Sequence, residues 1–214
     1  MSISVYPITD NFAAEVGVDL TQLSVEDVAA IKDAFWRYAV LIFPDQHLTE
    51  EQHVAFAKHI GPIEPSIGAY RPDAKLRLRP DLVDISNLTH RGVIWSEHSR
   101  VRGLNLANRL WHTDSSFKYL PARASLLYAR SIAPIGGHTE FADLRAAYDA
   151  LPSDMMRKLG GLVAEHALAY SRARTGFDNF SESERKELPP VPQVMVRTIP
   201  ENGRRSLYLA SHIG

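Results

Sequence analysis

The stretch from Gly61 to Asn105, "GPIEPSIGAYRPDAKLRLRPDLVDISNLTHRGVIWSEHSRVRGLN", limits the fold most strongly. Glycine, proline and asparagine interrupt it every few residues, and the apolar residues between them alternate in short runs, such as "LVDISNL" before "THRG". Runs bounded in this way read as strands and long loops. Helical spacing lies on either side. Ser24 caps a predicted helix "SVEDVAAIKDAFWRYA", in which Val28, Ile31 and Phe35 recur at three and four residues. Thr49 and Gln52 match a capping box ahead of "VAFAKHIG", a second helix that Gly61 stops near residue 60. "DLRAAYDALPSDMMRKLGGL" is helical again, with Asp143 and Ser153 as caps around Pro152, and "FSESERKELPP" is a short polar helix or loop. The remainder is strand-like. "VYPITDNFAAEVGVDL" reads as strand and turn, "VLIFP" at 40–44 as a buried strand, "ASLLYARSIAP" as alternating in part, and "PQVMVRTIPENGRRSLYLASHI" as two strands joined by "PENG".

The chain has 214 residues, 45% of them hydrophobic and 23% charged, enough to bury one sizeable core. No repeat or low-complexity tract divides it, so residues 1–214 are expected to form a single domain. Lys+Arg 24 against Asp+Glu 25 leaves a charge of −1 without a basic run, which argues against nucleic acid as a partner. The absence of cysteine excludes disulfides and thiolate chemistry, leaving His, Asp and Glu as the strong metal ligands. "MSISVYPITDNF" lacks a basic segment followed by an apolar one, and no apolar run could span a bilayer. A cytoplasmic protein without a membrane partner is expected.

Among nine histidines, two precede a carboxylate in the order His-x-Asp or His-x-Glu. In "LWHTDSSF", His112 and Asp114 would share a face if the segment is a strand, because side chains alternate with period two. An imidazole and a carboxylate can then grip one ion, and two histidines with one carboxylate form the facial arrangement of non-haem Fe(II) oxygenases. The plainer alternative is a histidine bonded to a neighbouring hydroxyl, with the aspartate in a turn before Ser115 and Ser116. "GGHTEF" offers His138 and Glu140 at the same spacing, although histidine after a Gly-Gly turn is ordinarily an exposed loop residue. Trp111, Phe117 and Tyr119 could border a pocket, but core packing is the simpler expectation. His53 and His59 are expected on the surface of the second helix, and Arg204, Arg205 and "SESERKE" in solvent.

"ANRLWHTDSSF", "PARASLLYA", "PIGGHTEFADLRAAYDALP", "GLVAEH" and "VRTIPENGRRSLYL" follow one another in an order and spacing that resemble a known family. It is the taurine dioxygenase and 2,4-dichlorophenoxyacetate dioxygenase family of Fe(II)/2-oxoglutarate-dependent oxygenases, and the likeness runs from "VLIFPDQHLTEEQHVAFAKHIGPIE" onward. The resemblance implies a mostly β fold with peripheral helices, a double-stranded β-helix or jelly roll. It implies Fe(II), 2-oxoglutarate as cosubstrate and dioxygen, a small-molecule carboxylate as substrate, and a homo-oligomer. The family's "WHxD" falls on Trp111, His112 and Asp114, making His112 and Asp114 the first two metal ligands. Thr139 corresponds to the hydroxyl that holds a 2-oxoglutarate carboxylate, with His138 standing where the family usually has aspartate. Asn108 corresponds to a residue lining the substrate and cosubstrate pocket, where an amide can donate to a carboxylate or sulfonate. Ser171 falls where the taurine enzyme has a substrate-contacting serine, a turn-capping hydroxyl being the alternative. Tyr70, in the loop from Ile67 to Asn87, would help line the substrate pocket.

Two expectations follow for the whole protein. "WHTDSSF", "EFADLRAAYDALP" and "GRRSLYL" resemble the aryloxyacetate branch, implying cleavage of an aryloxyacetate ether to a phenol and glyoxylate with succinate and CO2. A taurine or alkylsulfonate dioxygenase is the alternative enzyme, and a non-catalytic binding or scaffold protein the alternative class. The family completes its site with a later histidine and a cosubstrate-binding arginine. The final "LASHIG" precedes both by block order, so the third ligand, the arginine and the last strands are expected beyond Gly214; His212 is the local candidate within the chain.

Overall fold

The computed structural model describes residues 3–64 and 75–214. In chain order these form β1 (Ser4–Pro7), β2 (Ala14–Gly17), α1 (Val25–Tyr38), β3 (Leu41–Ile42), α2 (Glu50–Ile60), α3 (Arg100–Leu106) and a 3-10 turn (Ala107–Arg109). They continue with α4 (Leu144–Asp149), α5 (Ser153–Leu159), β4 (Val163–His166), α6 (Leu168–Ala173), α7 (Glu182–Glu187), β5 (Val191–Val194), β6 (Val196–Thr198) and β7 (Arg205–Leu207). The strands make three sheets, β1-β2-β3, β4-β5 and β6-β7, and among the described residues none is closed into a barrel. No helix among the described residues is long and apolar enough to cross a membrane.

The chain divides into two compact units, each drawn from three separate segments. The first comprises Met1–Pro62, Arg123–Ala150 and Thr198–Ser206. Here β2 alternates as the sequence requires, with Ala14 and Val16 fully buried and Glu15 and Gly17 outward. Val16 packs with Leu20, Ile31, Leu48 and Phe56. Ser24 closes a capping box with Asp27 at the start of α1, and Thr49 does so with Gln52 at the start of α2, as predicted. Each such cap satisfies otherwise orphaned N–H groups, and its loss typically costs about 1 kcal/mol. Buried Arg145 ties this unit together. Its guanidinium donates to both Asp143 carboxylate oxygens and to the carbonyls of Trp36, Arg37 and Asn11 at 2.8–3.3 Å, serving the unpaired C-terminal turn of α1.

The second unit comprises Ile63–Ala122, Leu151–Arg197 and Leu207–Gly214. Its framework is the antiparallel β4-β5 pair, with Val163 opposite Val194 and His166 opposite Val191. Helices α3 and α7 meet through the Arg100–Glu184 ion pair, and Gly103 lets Phe177 approach, since a Cβ there would lie 3.1 Å from its ring.

Several elements differ from the sequence reading. "VLIFP" contributes only Leu41 and Ile42 as strand, and Ile42 is exposed because β3 lies at the edge of its sheet. Asp143 caps α4 as expected, but Ser153 is already helical and Pro152 makes the entry without a side-chain cap. "RVRGLNL" and "LAYSRA" are helices α3 and α6, and "LVDISNL" forms one isolated bridge, Leu88 to Ile94, in place of a strand. "PENG" does turn β6 into β7, while the preceding "VPQV" pairs separately with β4.

Candidate active site

The site is built in the second unit from three short segments. After the 3-10 turn the chain extends at Leu110 (φ −80, ψ 143) and then turns through residues 114–117. His112 and Asp114 therefore do not lie on a strand. A turn follows directly: Ser115 adopts φ 58, the Lys118 N–H donates to the Ser115 carbonyl at 2.9 Å, and Glu64 accepts from Ser115 Oγ at 3.0 Å and from Lys118. A left-handed serine is strained backbone, and these bonds hold it in place.

The geometry that results is specific. His112 Nδ1 lies 2.7 Å from the Leu110 carbonyl, which can only accept, so Nδ1 carries the proton and Nε2 faces Asp114 Oδ1 at 3.1 Å. The hydrogen bond to Asp114 holds the His112 imidazole above its ordinary pKa against the opposing effect of burial. Two donors each about 2.1 Å from an ion and at right angles to one another are about 3 Å apart, so this pair fits adjacent positions of one metal. The donors, one imidazole nitrogen and one carboxylate oxygen, suit Fe(II).

The segment 209–213 runs beside this pair. Leu209 accepts from Thr113 Oγ1 at 3.0 Å, the Ser211 N–H donates to the Trp111 carbonyl at 3.1 Å, and the His212 carbonyl accepts from the Ala167 N–H at 2.8 Å. His212 is thus buried, its ring 5.9 Å from that of His112 and 5.0 Å from Phe117, both edge to face. Burial, with Arg172 and the neighbouring histidines adding to it, pushes its pKa down to about 3, so it is neutral at pH 7. His212 does not complete a metal site: among the described residues no group of three His, Asp or Glu side chains is placed to hold an ion.

Ser171 is fully buried on α6, its hydroxyl engaged with the Leu168 carbonyl (2.9 Å), Arg172 Nη1 (3.0 Å) and His212 Nδ1 (2.9 Å). Asn108, on the 3-10 turn, accepts from Arg172 Nη2 at 3.0 Å. Thr139 belongs to the first unit, exposed and following Gly136 and Gly137, both at φ 73; His138 and Glu140 are exposed beside it. Tyr70 lies outside the described residues. Trp111 and Tyr119 are exposed, contrary to the core expectation, which Phe117 alone of the three meets. His53 is half-buried against Tyr128, whereas His59 is exposed as expected. Arg204 and Arg205 are engaged with Asp149 and the Tyr148 hydroxyl, and Glu184 of "SESERKE" is buried against Arg100.

Two residues near the site carried no signal in the sequence. Arg172 is buried, and burial pushes its pKa down to about 10 although Asp114 opposes the shift. His166 is fully buried, and neither ring nitrogen has a hydrogen-bond partner among the described residues. Only the tertiary contacts single them out.

The family model described as "Taurine catabolism dioxygenase TauD, TfdA family" matches residues 4–213. The chain is 40% identical over 220 residues to the alpha-ketoglutarate-dependent 2,4-dichlorophenoxyacetate dioxygenase of Cupriavidus pinatubonensis, covering 99% of this chain and 75% of that protein. It is 34% identical over 221 residues to the (S)-phenoxypropionate/alpha-ketoglutarate-dioxygenase of Sphingobium herbicidovorans, covering 99% of this chain and 71% of the other. The crystal structure of AAD-2 in complex with Mn(II) and N-oxalylglycine matches with a TM-score of 0.94 and 43% identity, over 100% of this chain and 75% of that one.

Proposed function

The chain belongs to the TauD/TfdA family, and from that premise we propose that it is an Fe(II)- and 2-oxoglutarate-dependent dioxygenase that cleaves aryloxyacetate ethers. The observation that carries the reading is the convergence of His112 Nε2 and Asp114 Oδ1 within 3.1 Å, in a chain whose relatives are named for 2,4-dichlorophenoxyacetate and phenoxypropionate. Bound Fe(II) supplies the centre at which 2-oxoglutarate and dioxygen react. His112 and Asp114 would hold it, with Leu110 keeping the histidine proton on Nδ1 so that Nε2 is free to bind. The Thr139 hydroxyl donates to a carboxylate of 2-oxoglutarate, and the Asn108 amide donates to a carboxylate of substrate or cosubstrate. Ser171 supports the site through its bonds with Arg172 and His212.

The balance of the reaction is one substrate, one 2-oxoglutarate and one dioxygen giving hydroxylated substrate, succinate and CO2. Hydroxylation at the carbon between ether oxygen and carboxylate yields a hemiacetal, which collapses to a phenol and glyoxylate. We place the fold in the jelly-roll class and residues 1–214 in one oxygenase domain. Cytoplasmic location and homo-oligomeric assembly are carried with the proposal, to be checked by fractionation and light scattering.

The test is a substrate panel with Fe(II) and 2-oxoglutarate, following succinate, phenol and glyoxylate. Aryloxyacetates are expected to give all three in equal amounts. Coupling with taurine alone would establish an alkylsulfonate enzyme instead, and no succinate with any substrate would favour the non-catalytic binding protein.

A further inference from the structure

We infer that Arg172 is a positioning residue, fixing the amide of Asn108 so that its NH2 group faces a carboxylate ligand of the His112–Asp114 site. The inference rests on the proposed function and adds to it a residue outside the metal pair. It follows from counting donors and acceptors. A guanidinium has only N–H donors, so the Asn108 atom 3.0 Å from Arg172 Nη2 is the carbonyl oxygen. The amide cannot turn over without setting its own NH2 against those donors. Its Nδ2 therefore points away from Arg172, bonded to no acceptor among the described residues, on a side chain that is exposed four residues before His112. A bare donor at that place suits an anion and repels a cation.

The same count fixes the far end of the network. Ser171 has one hydroxyl proton, which goes to the Leu168 carbonyl, and it receives Arg172 Nη1 at 3.0 Å. His212 Nδ1, 2.9 Å from the same oxygen, must then be protonated, which leaves a lone pair on Nε2. Arg172 and the Leu168 carbonyl together thus set the direction of every bond from Asn108 to His212. The cost of the arginine is visible: the guanidinium is buried, Nε has no partner among the described residues, and both acceptors bonded here, Asn108 and Ser171, are neutral. An apolar side chain would fill the space without that desolvation penalty, so local packing alone does not account for the arginine.

A double-mutant cycle with Asn108→Ala and Arg172→Met, read by calorimetry on the full protein, tests this. One arm titrates N-oxalylglycine onto the Mn(II)-loaded protein, the other phenoxyacetate onto the protein already holding both. Each single variant is expected to weaken one and the same arm by about tenfold, and the double variant to weaken it no further than about threefold beyond either, since both remove one oriented donor. The affected arm identifies whether cosubstrate or substrate carboxylate meets Asn108. Arg172→Lys keeps a buried donor-only cation and guards against misfolding of the methionine variant; it should weaken the same arm by a smaller factor, and only while Asn108 is present. Multiplying effects, or arginine variants that leave both arms unchanged, would overturn the assignment alone. A wild-type protein that binds neither ligand would overturn the proposed function and this inference together.

Discussion

His112 Nε2 stands 3.1 Å from Asp114 Oδ1 at the entry to a turn in which the next residue, Ser115, takes a φ of 58. The turn makes a β-branched residue at 115 costly and glycine acceptable. Ser115→Val is expected to weaken Mn(II) binding by about tenfold, equivalent to about 1.4 kcal/mol, by opening the turn and losing the bond to Glu64. Ser115→Gly keeps the turn and should stay within about threefold of wild type. Electron paramagnetic resonance titration of free Mn(II) distinguishes the two outcomes, and equal affinity in both variants would show that the turn does not set the site.

Arg145 and Asp143 supply a second expectation, about stability. Arg145→Met leaves a half-buried carboxylate uncompensated and removes donors from three carbonyls, so unfolding free energy should fall by about 3 to 5 kcal/mol. Burial pushes the Asp143 carboxyl up, but its bonds from Arg145 and the local backbone hold it below its ordinary value. A depressed carboxylate contributes stability above its unfolded pKa, and the contribution is lost as pH falls through the folded value. Urea denaturation from pH 5 to pH 3 should therefore show a shallower acid loss in the variant than in the wild type. Parallel curves would contradict this.

His166 acts in the opposite range. Burial, with Arg197 adding to it, lowers its pKa from the ordinary 6.5. Tyr208 stacks on its ring at 5.7 Å, Arg197 lies over Tyr208 at 3.5 Å, and His212 is the neutral neighbour. The folded state keeps the imidazole neutral while the unfolded state takes up a proton, so stability is lost as pH falls below about 6.5, at up to about 1.4 kcal/mol per pH unit for one proton. His166→Leu should flatten that slope between pH 6.5 and 5 in guanidinium denaturation. An unchanged slope would assign the acid sensitivity elsewhere.

Thr139→Val preserves shape and removes the hydroxyl donor. Apparent affinity for 2-oxoglutarate should weaken by about 1 to 3 kcal/mol, with the substrate constant little changed. If steady-state kinetics show the reverse, Thr139 meets the substrate and not the cosubstrate.

Local signals in the sequence were legible wherever the cause is local. Ser24, Thr49 and Asp143 cap their helices because each side chain bonds within a few residues of itself, and "PENG" turns a hairpin for the same reason. The pairing of His112 with Asp114 was legible as chemistry but not as geometry, since a left-handed serine held by distant Glu64 replaces the strand that spacing suggested. Helices α3 and α6 were missed, being six or seven residues long and dependent on contacts such as Phe177 against Gly103 and Ser171 against His212. Arg172 was invisible for a related reason: nothing in "LAYSRA" says that its arginine turns inward to Asn108.

The decisive measurement is succinate formation by His112→Ala with saturating Fe(II), 2-oxoglutarate and an aryloxyacetate, beside the wild type. Losing Nε2 leaves Asp114 without its partner at 3.1 Å, and the metal is then held poorly and its open positions are misplaced. Wild-type protein should form succinate and phenol one for one, and the variant less than about 1% of that, a loss of more than about 2.7 kcal/mol. Iron-dependent succinate formation at the wild-type rate in His112→Ala would contradict the assignment of His112 and Asp114 as the metal pair.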